Sequence, residues 1–188
     1  MIKASAKQKP VKTSIKSVKL IAATAMFAAL ITVTTSFIKM PTMLGYAHAG
    51  DGVLYIAASV LPGPFGIIAA SLGGALADLL SGYAHWAIPT AIIKALNAVP
   101  FVLCSYALRK YGKDNKIISL PNLLMLLPTS AVTIFGYLVA NAIMKGWEAS
   151  LANTPNNVIQ AVVAAAIFIT LGLTLDGFKF KTRLSNIL

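Results

Sequence analysis

The chain has 188 residues, of which 57% are hydrophobic and 11% charged, with a mean hydropathy of +0.78 and a formal net charge of +11. Soluble domains carry about 25% charged residues, so this balance excludes an ordinary water-soluble globule and points to one polytopic membrane bundle. The basic residues punctuate apolar runs and form no interleaved basic–aromatic surface, which excludes nucleic acid as a partner.

In chain order, a lysine-rich start (Lys3, Lys7, Lys9, Lys12, Lys16, Lys19) precedes a first predicted helix from Leu20 to Ile38. The next stretch, "LGYAHAGDG" from Leu44 to Gly52, contains Ala47-His48-Ala49, a small-x-small pattern of the kind signal peptidases cut. Signal peptides have an apolar core of roughly 7–15 residues with the cut close behind. Here the run is longer and Ile38 is far from Ala49, so the stretch reads as a retained outer loop. The second helix, Val53 to Leu61, is short and ends at Pro62-Gly63-Pro64. The third runs from Phe65 to Gly82 and the fourth from Ala87 to Leu108. The fifth, Leu120 to Met144, contains Pro128, a site for a kink. The sixth covers Asn156 to Leu175. The expected fold is therefore all-α and integral to the membrane, with six transmembrane helices in one bundle. Its parts are a basic segment (1–19), a substrate-binding helical domain (20–176) and a basic tail (177–188).

Orientation follows from lysine and arginine placement. With six spans, the first segment, the loop with Arg109, Lys110, Lys113 and Lys116, and the tail with Lys179, Lys181 and Arg183 share one side. The opposite side has Lys39 and Lys145, and Lys94 falls inside helix four. Both termini are expected in the cytoplasm, in a multi-pass protein of a prokaryotic cell membrane.

Charged groups inside a bilayer cost about 2.5–3.5 kcal/mol each on insertion scales, so each calls for a reason. At 1.5 Å per residue, Asp78 and Lys94 fall at similar depth in the outer half of consecutive antiparallel helices, which makes a mutual salt bridge the natural expectation. Asn97 lies one turn beyond Lys94 on the same face, Tyr137 and Asn141 share a face at spacing i, i+4, and helix six begins with Asn156, Asn157 and, one turn on, Gln160. The outer loops add Tyr46, His48, Asp51, Tyr83, His85, Trp86, Trp147 and Glu148, whereas the inner halves offer mainly Ser and Thr. This asymmetry predicts a pocket opening outward. Carboxamide, carboxylate and ammonium groups give directional hydrogen bonds, and Tyr and Trp give faces on which a flat ring stacks. The same Trp and Tyr also fit an interfacial aromatic belt, and Asn141 and Asn157 also fit interhelical hydrogen bonding. His48 and His85 with Asp51 lack the tight spacing of a metal site, so no metal and no cofactor is expected. Cys104, alone in an apolar run, offers no disulfide. No GxxxxGK[ST], HExxH or GxSxG motif occurs, so a pocket without an engine implies a partner, and the chain is not expected to be an enzyme.

The run "GDGVLYIAASVLPGPFGIIAASLGGALADLLSGYAHWAIPTAIIKAL", Gly50 to Leu96, resembles the substrate-binding S components of energy-coupling factor (ECF) vitamin transporters. The matching pieces are the Gly-Asp-Gly entry, the Leu-Pro-Gly-Pro turn, the Gly-rich helix ending in Ala-Asp-Leu, and the Trp-x-x-Pro-x-x-x-Ile-Ile-Lys start. The chain most resembles members for hydroxymethylpyrimidine or pyridoxine-like precursors. Other vitamins, such as pantothenate or riboflavin, are the alternative, and a membrane enzyme or scaffold stands behind those. The resemblance implies partnership with a transmembrane coupling subunit and two cytoplasmic ATPases, docked through a small-residue face of helix one that Ala22, Ala25 and Ala29 match. It also implies a lid over the ligand, corresponding to Lys39 through Asp51, with Tyr46 and His48 facing ligand. In that lid Gly45, Gly50 and Gly52 would give flexibility and Asp51 would cap helix two. The implied pocket roles are ring stacking by Trp86 and Tyr137, hydrogen bonding by Asn97, Asn141 and Asn157, and orientation by Lys94 and Asp78.

Overall fold

Long apolar runs form helices because a helix satisfies every internal backbone donor and acceptor within its own segment, the condition a hydrocarbon solvent imposes. The computed structural model describes residues 15–42 and 45–188, with residues 39–42 and 45–47 described by their backbone alone. The lysines before Ile15 and the Tyr46 side chain lie outside that description. The helices are α1 (Ile15–Phe37), α2 (Gly50–Val60), α3 (Phe65–Leu80), α4 (Ala87–Lys110), α5 (Leu120–Leu124), α6 (Leu126–Lys145), α7 (Trp147–Gly177) and α8 (Phe180–Ile187). A one-turn 3-10 helix, 84–86, leads into α4. The expected all-helical chain is interrupted by an antiparallel hairpin, β1 (Lys39–Thr42) and β2 (Gly45–His48), with Lys39 opposite His48.

Among the described residues, four helical stretches are long and apolar enough to cross a membrane: 15–37, 84–110, 120–145 and 147–177. The other two expected spans, α2 and α3, are shorter, at about 16 and 24 Å for 1.5 Å per residue, against about 30 Å of hydrocarbon. For α2 the shortfall has a structural reason. It runs through the middle of the bundle, and every residue of it except Val53 is buried. Helices α1, α3, α4 and α7 all pack on it. Around it lie the core side chains, with Tyr55 stacked on Phe101 at 5.1 Å between ring centroids and Phe168 5.0 Å from Phe101.

Small residues set the spacing. A Cβ added at Gly73 would come within 2.7 Å of Ile31 on α1, and one at Gly74 within 2.7 Å of the Lys94 side chain on α4. Thr32 Oγ donates to the carbonyls of Ala28 and Gly73, stitching α1 to α3. Only Gly63 of the Pro62-Gly63-Pro64 turn needs left-handed backbone, with φ of 56°.

Several boundaries differ from the sequence reading. The first helix starts at Ile15, so Lys16 and Lys19 belong to it. The fifth helix breaks at Met125, three residues before Pro128. Proline lacks an N–H, so the Leu124 carbonyl loses its partner one turn back and the helix re-forms from Leu126. The sixth helix starts nine residues early, taking Trp147 and Glu148 out of the expected loop and carrying Pro155 inside it.

The tail also folds. Phe180 and Leu184 of α8 and the following Leu188 pack against the core. Asp114 accepts from Arg109 Nε at 2.8 Å and from Lys181 Nζ at 2.5 Å, joining the end of α4 to α8. Asp176 accepts the backbone N–H groups of Ile117 and Ile118 at 2.7 and 2.8 Å. Burial pulls the Lys181 ammonium below the ordinary lysine range, while its Asp114 bond acts the other way.

Candidate functional site

At the end of the bundle away from Arg109, Asp114 and α8, helix ends and the hairpin surround a cavity of about 350 Å³. Its walls come from the C-terminal ends of α3 and α6, the start of α4, the first half of α7 and the return of β2. On α7 the lining residues Asn153, Asn156, Asn157 and Gln160 recur at helical spacing and so share one face. The Trp86 and Tyr137 rings form an aromatic wall, 6.2 Å apart and tilted by 49°. Lys145 Nζ lies 5.5 Å from the Trp86 ring centroid, a cation–π contact at the mouth.

Of the residues singled out in the sequence, His48, Asp78, Tyr83, Trp86, Tyr137, Asn141, Asn157 and Gln160 line this cavity. Asp51, Lys94 and Asn97 do not. They lie beneath it, each 1% exposed or less. Thr35, Thr90, Lys145 and Asn153 line the cavity without having been singled out, and Asn156, placed in the outer polar layer without a ligand role, lines it too. The three-to-four-residue recurrence from Asn153 to Gln160 was the signal for Asn153, hidden because the helix was expected to begin at Asn156.

The buried charges pair differently from expectation. Lys94 Nζ donates to Asp51 Oδ1 at 2.6 Å, and the expected Lys94–Asp78 salt bridge is replaced by this one. Asp51 is inside because α2 begins at Gly50. Gly-Asp-Gly reads as a turn, yet its glycines serve close packing, Gly50 against Thr35 and Gly52 against Ile167 and Phe168. Asp51 therefore does not cap α2, whose N-cap is Ala49 with no side-chain bond. It spends its second oxygen on Gln160 Nε2 at 3.0 Å. Lys94 Nζ also lies 5.2 Å from the Tyr137 ring centroid, so the ion pair supports the aromatic wall from below.

The carboxamides differ in what they have left to offer. Asn97 Nδ2 donates to Thr133 Oγ at 3.1 Å, and Thr129 Oγ donates to the Asn97 carbonyl at 3.1 Å, so Asn97 ties α4 to α6. Asn141 Nδ2 donates to its own helix at the Tyr137 carbonyl, 2.9 Å away. Asn157 is 6% exposed, and its Nδ2 has no acceptor among the described residues. Among the described residues no group of three or more His, Cys, Asp or Glu is placed to hold a metal ion. Ala22, Ala25 and Ala29 are exposed on α1.

Apolar helices around a polar, ring-walled cavity define a membrane protein fitted to hold a small solute. The model of the family "ECF-type riboflavin transporter, S component" matches residues 15–176. A protein of Pyrococcus woesei described as "uncharacterized protein in gap 3'region" is 32% identical over 161 residues, 84% of this chain and 99% of its own length. The chain belongs to the ECF-type riboflavin transporter S component family, a family of vitamin-transport subunits and not of enzymes.

Proposed function

We propose that this protein captures a small water-soluble vitamin or vitamin precursor from outside the cell and delivers it through a transmembrane coupling subunit and two cytoplasmic ATPases. The observation that carries this reading is the cavity: carboxamides and an aromatic wall gathered at the end of the bundle opposite the basic loop and tail. Helices α1, α2, α3, α4, the α5–α6 pair and α7 embed in the membrane as six units with both termini cytoplasmic, so the cavity opens outward. Trp86 and Tyr137 stack on the ring, Asn157 Nδ2 supplies a donor, and Asn141 offers its carboxamide oxygen. The hairpin, through its return at His48, covers the ligand, and the exposed Ala22, Ala25 and Ala29 face docks the coupling subunit.

Ligand cavities run from about 300 to 1,000 Å³, so this one, near the lower bound, favours a single-ring heterocycle such as hydroxymethylpyrimidine or pyridoxine. A second reading, riboflavin, is favoured by the family whose model matches. The test is thermal unfolding of the detergent-purified protein with each compound, pantothenate included as a ring-free comparison. A ligand at a hundred times its Kd stabilises by about 2.7 kcal/mol, or roughly 5–10 °C for a chain of this size. A shift with hydroxymethylpyrimidine or pyridoxine alone supports the first reading, and a shift with riboflavin alone the second. No shift with any of them sinks the capture function.

A further inference from the structure

One cavity residue is fully committed inside the protein. Gln160 Oε1 accepts the His48 backbone N–H at 2.8 Å. Its Nε2 donates to the His48 carbonyl at 3.2 Å and to Asp51 Oδ2 at 3.0 Å, with His48 Nδ1 at 3.4 Å. A primary carboxamide has two N–H groups, so these bonds leave no donor for a ligand although the side chain borders the cavity.

The hairpin register explains why His48 is available to be held. Lys39 faces His48, and the neighbouring Ala49 N–H donates to the Ile38 carbonyl at 3.1 Å. In an antiparallel ladder, mutually bonded pairs alternate with unbonded ones. Next to the bonded Ile38–Ala49 pair, Lys39 and His48 form a pair of the other kind, in which the N–H and C=O of His48 point away from β1. There the Gln160 carboxamide meets both, as the next strand of a sheet would. It is long enough to do so while still reaching Asp51, which Lys94 holds from the other side.

We propose that Gln160 is a positioning residue of the cavity: its carboxamide acts as a one-residue third strand that pins the return of the hairpin at His48 to the buried Asp51–Lys94 ion pair. The wall formed by His48 is thereby set before ligand arrives, which lowers the ordering cost of binding. This assignment rests on reading the cavity as the ligand site for its functional meaning, but not for its geometry.

The test is backbone amide exchange on ligand-free protein, wild type against Gln160→Leu and Gln160→Asn. Leucine removes every bond to His48, and asparagine keeps an amide near Asp51 but is one methylene too short to span to His48. Both variants are expected to lose at least tenfold protection at the His48 N–H while amides in the middle of α2 and α7 keep theirs. Unchanged protection at His48 overturns the proposal, because the hairpin would then be held without Gln160. Equal loss across α2 and α7 overturns it as well, since Gln160 would be a core element and not a local clamp. Failure of both variants to give folded protein has the same meaning. Because no ligand is used, a vitamin panel that fails to bind would count against the capture function and leave this readout intact.

Discussion

At the scale of the residue, the molecule contains two acidic centres that look alike and should respond to mutation with very different magnitudes. Among the described residues Asp51 has one salt-bridge partner, Lys94, and both side chains are at most 2% exposed. Removing one member of such a pair leaves an uncompensated buried charge, which costs about 3–5 kcal/mol. Lys94→Met is therefore expected to lower the unfolding temperature by 10 °C or so, on the order of 2–4 °C per kcal/mol, and a drop of only a degree or two would contradict the assigned pairing. Asp114 has two partners, Arg109 and Lys181. Lys181→Met leaves Arg109 in place and relieves the burial of an ammonium, so its cost should stay within about 1 kcal/mol. Lys94 was legible as a charge needing an explanation, whereas Lys181 read only as part of a basic tail, and the identity of the Lys94 partner was not legible. Depth along a helix is readable from spacing, whereas which carboxylate lies across the bundle depends on where α2 starts, and two glycines flanking Asp51 disguised that start as a turn.

At the scale of the element, helix contacts rest on missing side chains. Gly73→Val on α3 would drive a branched side chain into Ile31 and the Ala28 carbonyl of α1, and overpacking of this kind costs about 1–3 kcal/mol. Gly74→Val would press instead on Lys94 and Thr90. It should therefore cost more, because it also strains the ion pair, and thermal unfolding of the two variants side by side checks that order. The glycine-rich character of this helix and the break near Pro128 were visible in the sequence because glycine and proline act through local sterics. Helix α8 was not. Its segment is short and basic, and it folds only because Phe180, Leu184 and Leu188 find the underside of the bundle. The extra turns at the start of α7 were hidden for a related reason, since Pro155 and a run of asparagines read as a boundary although the helix passes through them.

At the scale of the whole molecule, orientation and coupling are the testable properties. Single cysteines introduced at Lys113 and Asn186, in a Cys104→Ala background, should escape a membrane-impermeant maleimide in intact cells, and one at Gly146 should react; the reverse pattern would invert the proposed topology. Ala25→Leu with Ala29→Leu alters only exposed positions of α1, so vitamin binding by the purified chain should be unchanged while co-purification with the coupling subunit is lost. The separation of a polar end from a basic end was legible from the chain alone, because bilayer solvation sorts residues along one axis. The depth ordering within the polar end was not, because it arises from packing around the central helix α2. That helix has a consequence for how the chain is made. An eleven-residue segment carrying a carboxylate is too short and too polar to partition into lipid alone. In the proposed six-helix topology it would enter together with α3, as a pair joined at Pro62-Gly63-Pro64, and wait with Asp51 uncompensated until α4 brings Lys94 and then α7 brings Gln160. Synthesis from the N-terminus thus finishes the polar end last, and a chain stalled after α3 should be a substrate for membrane quality control while one completed through α7 should not.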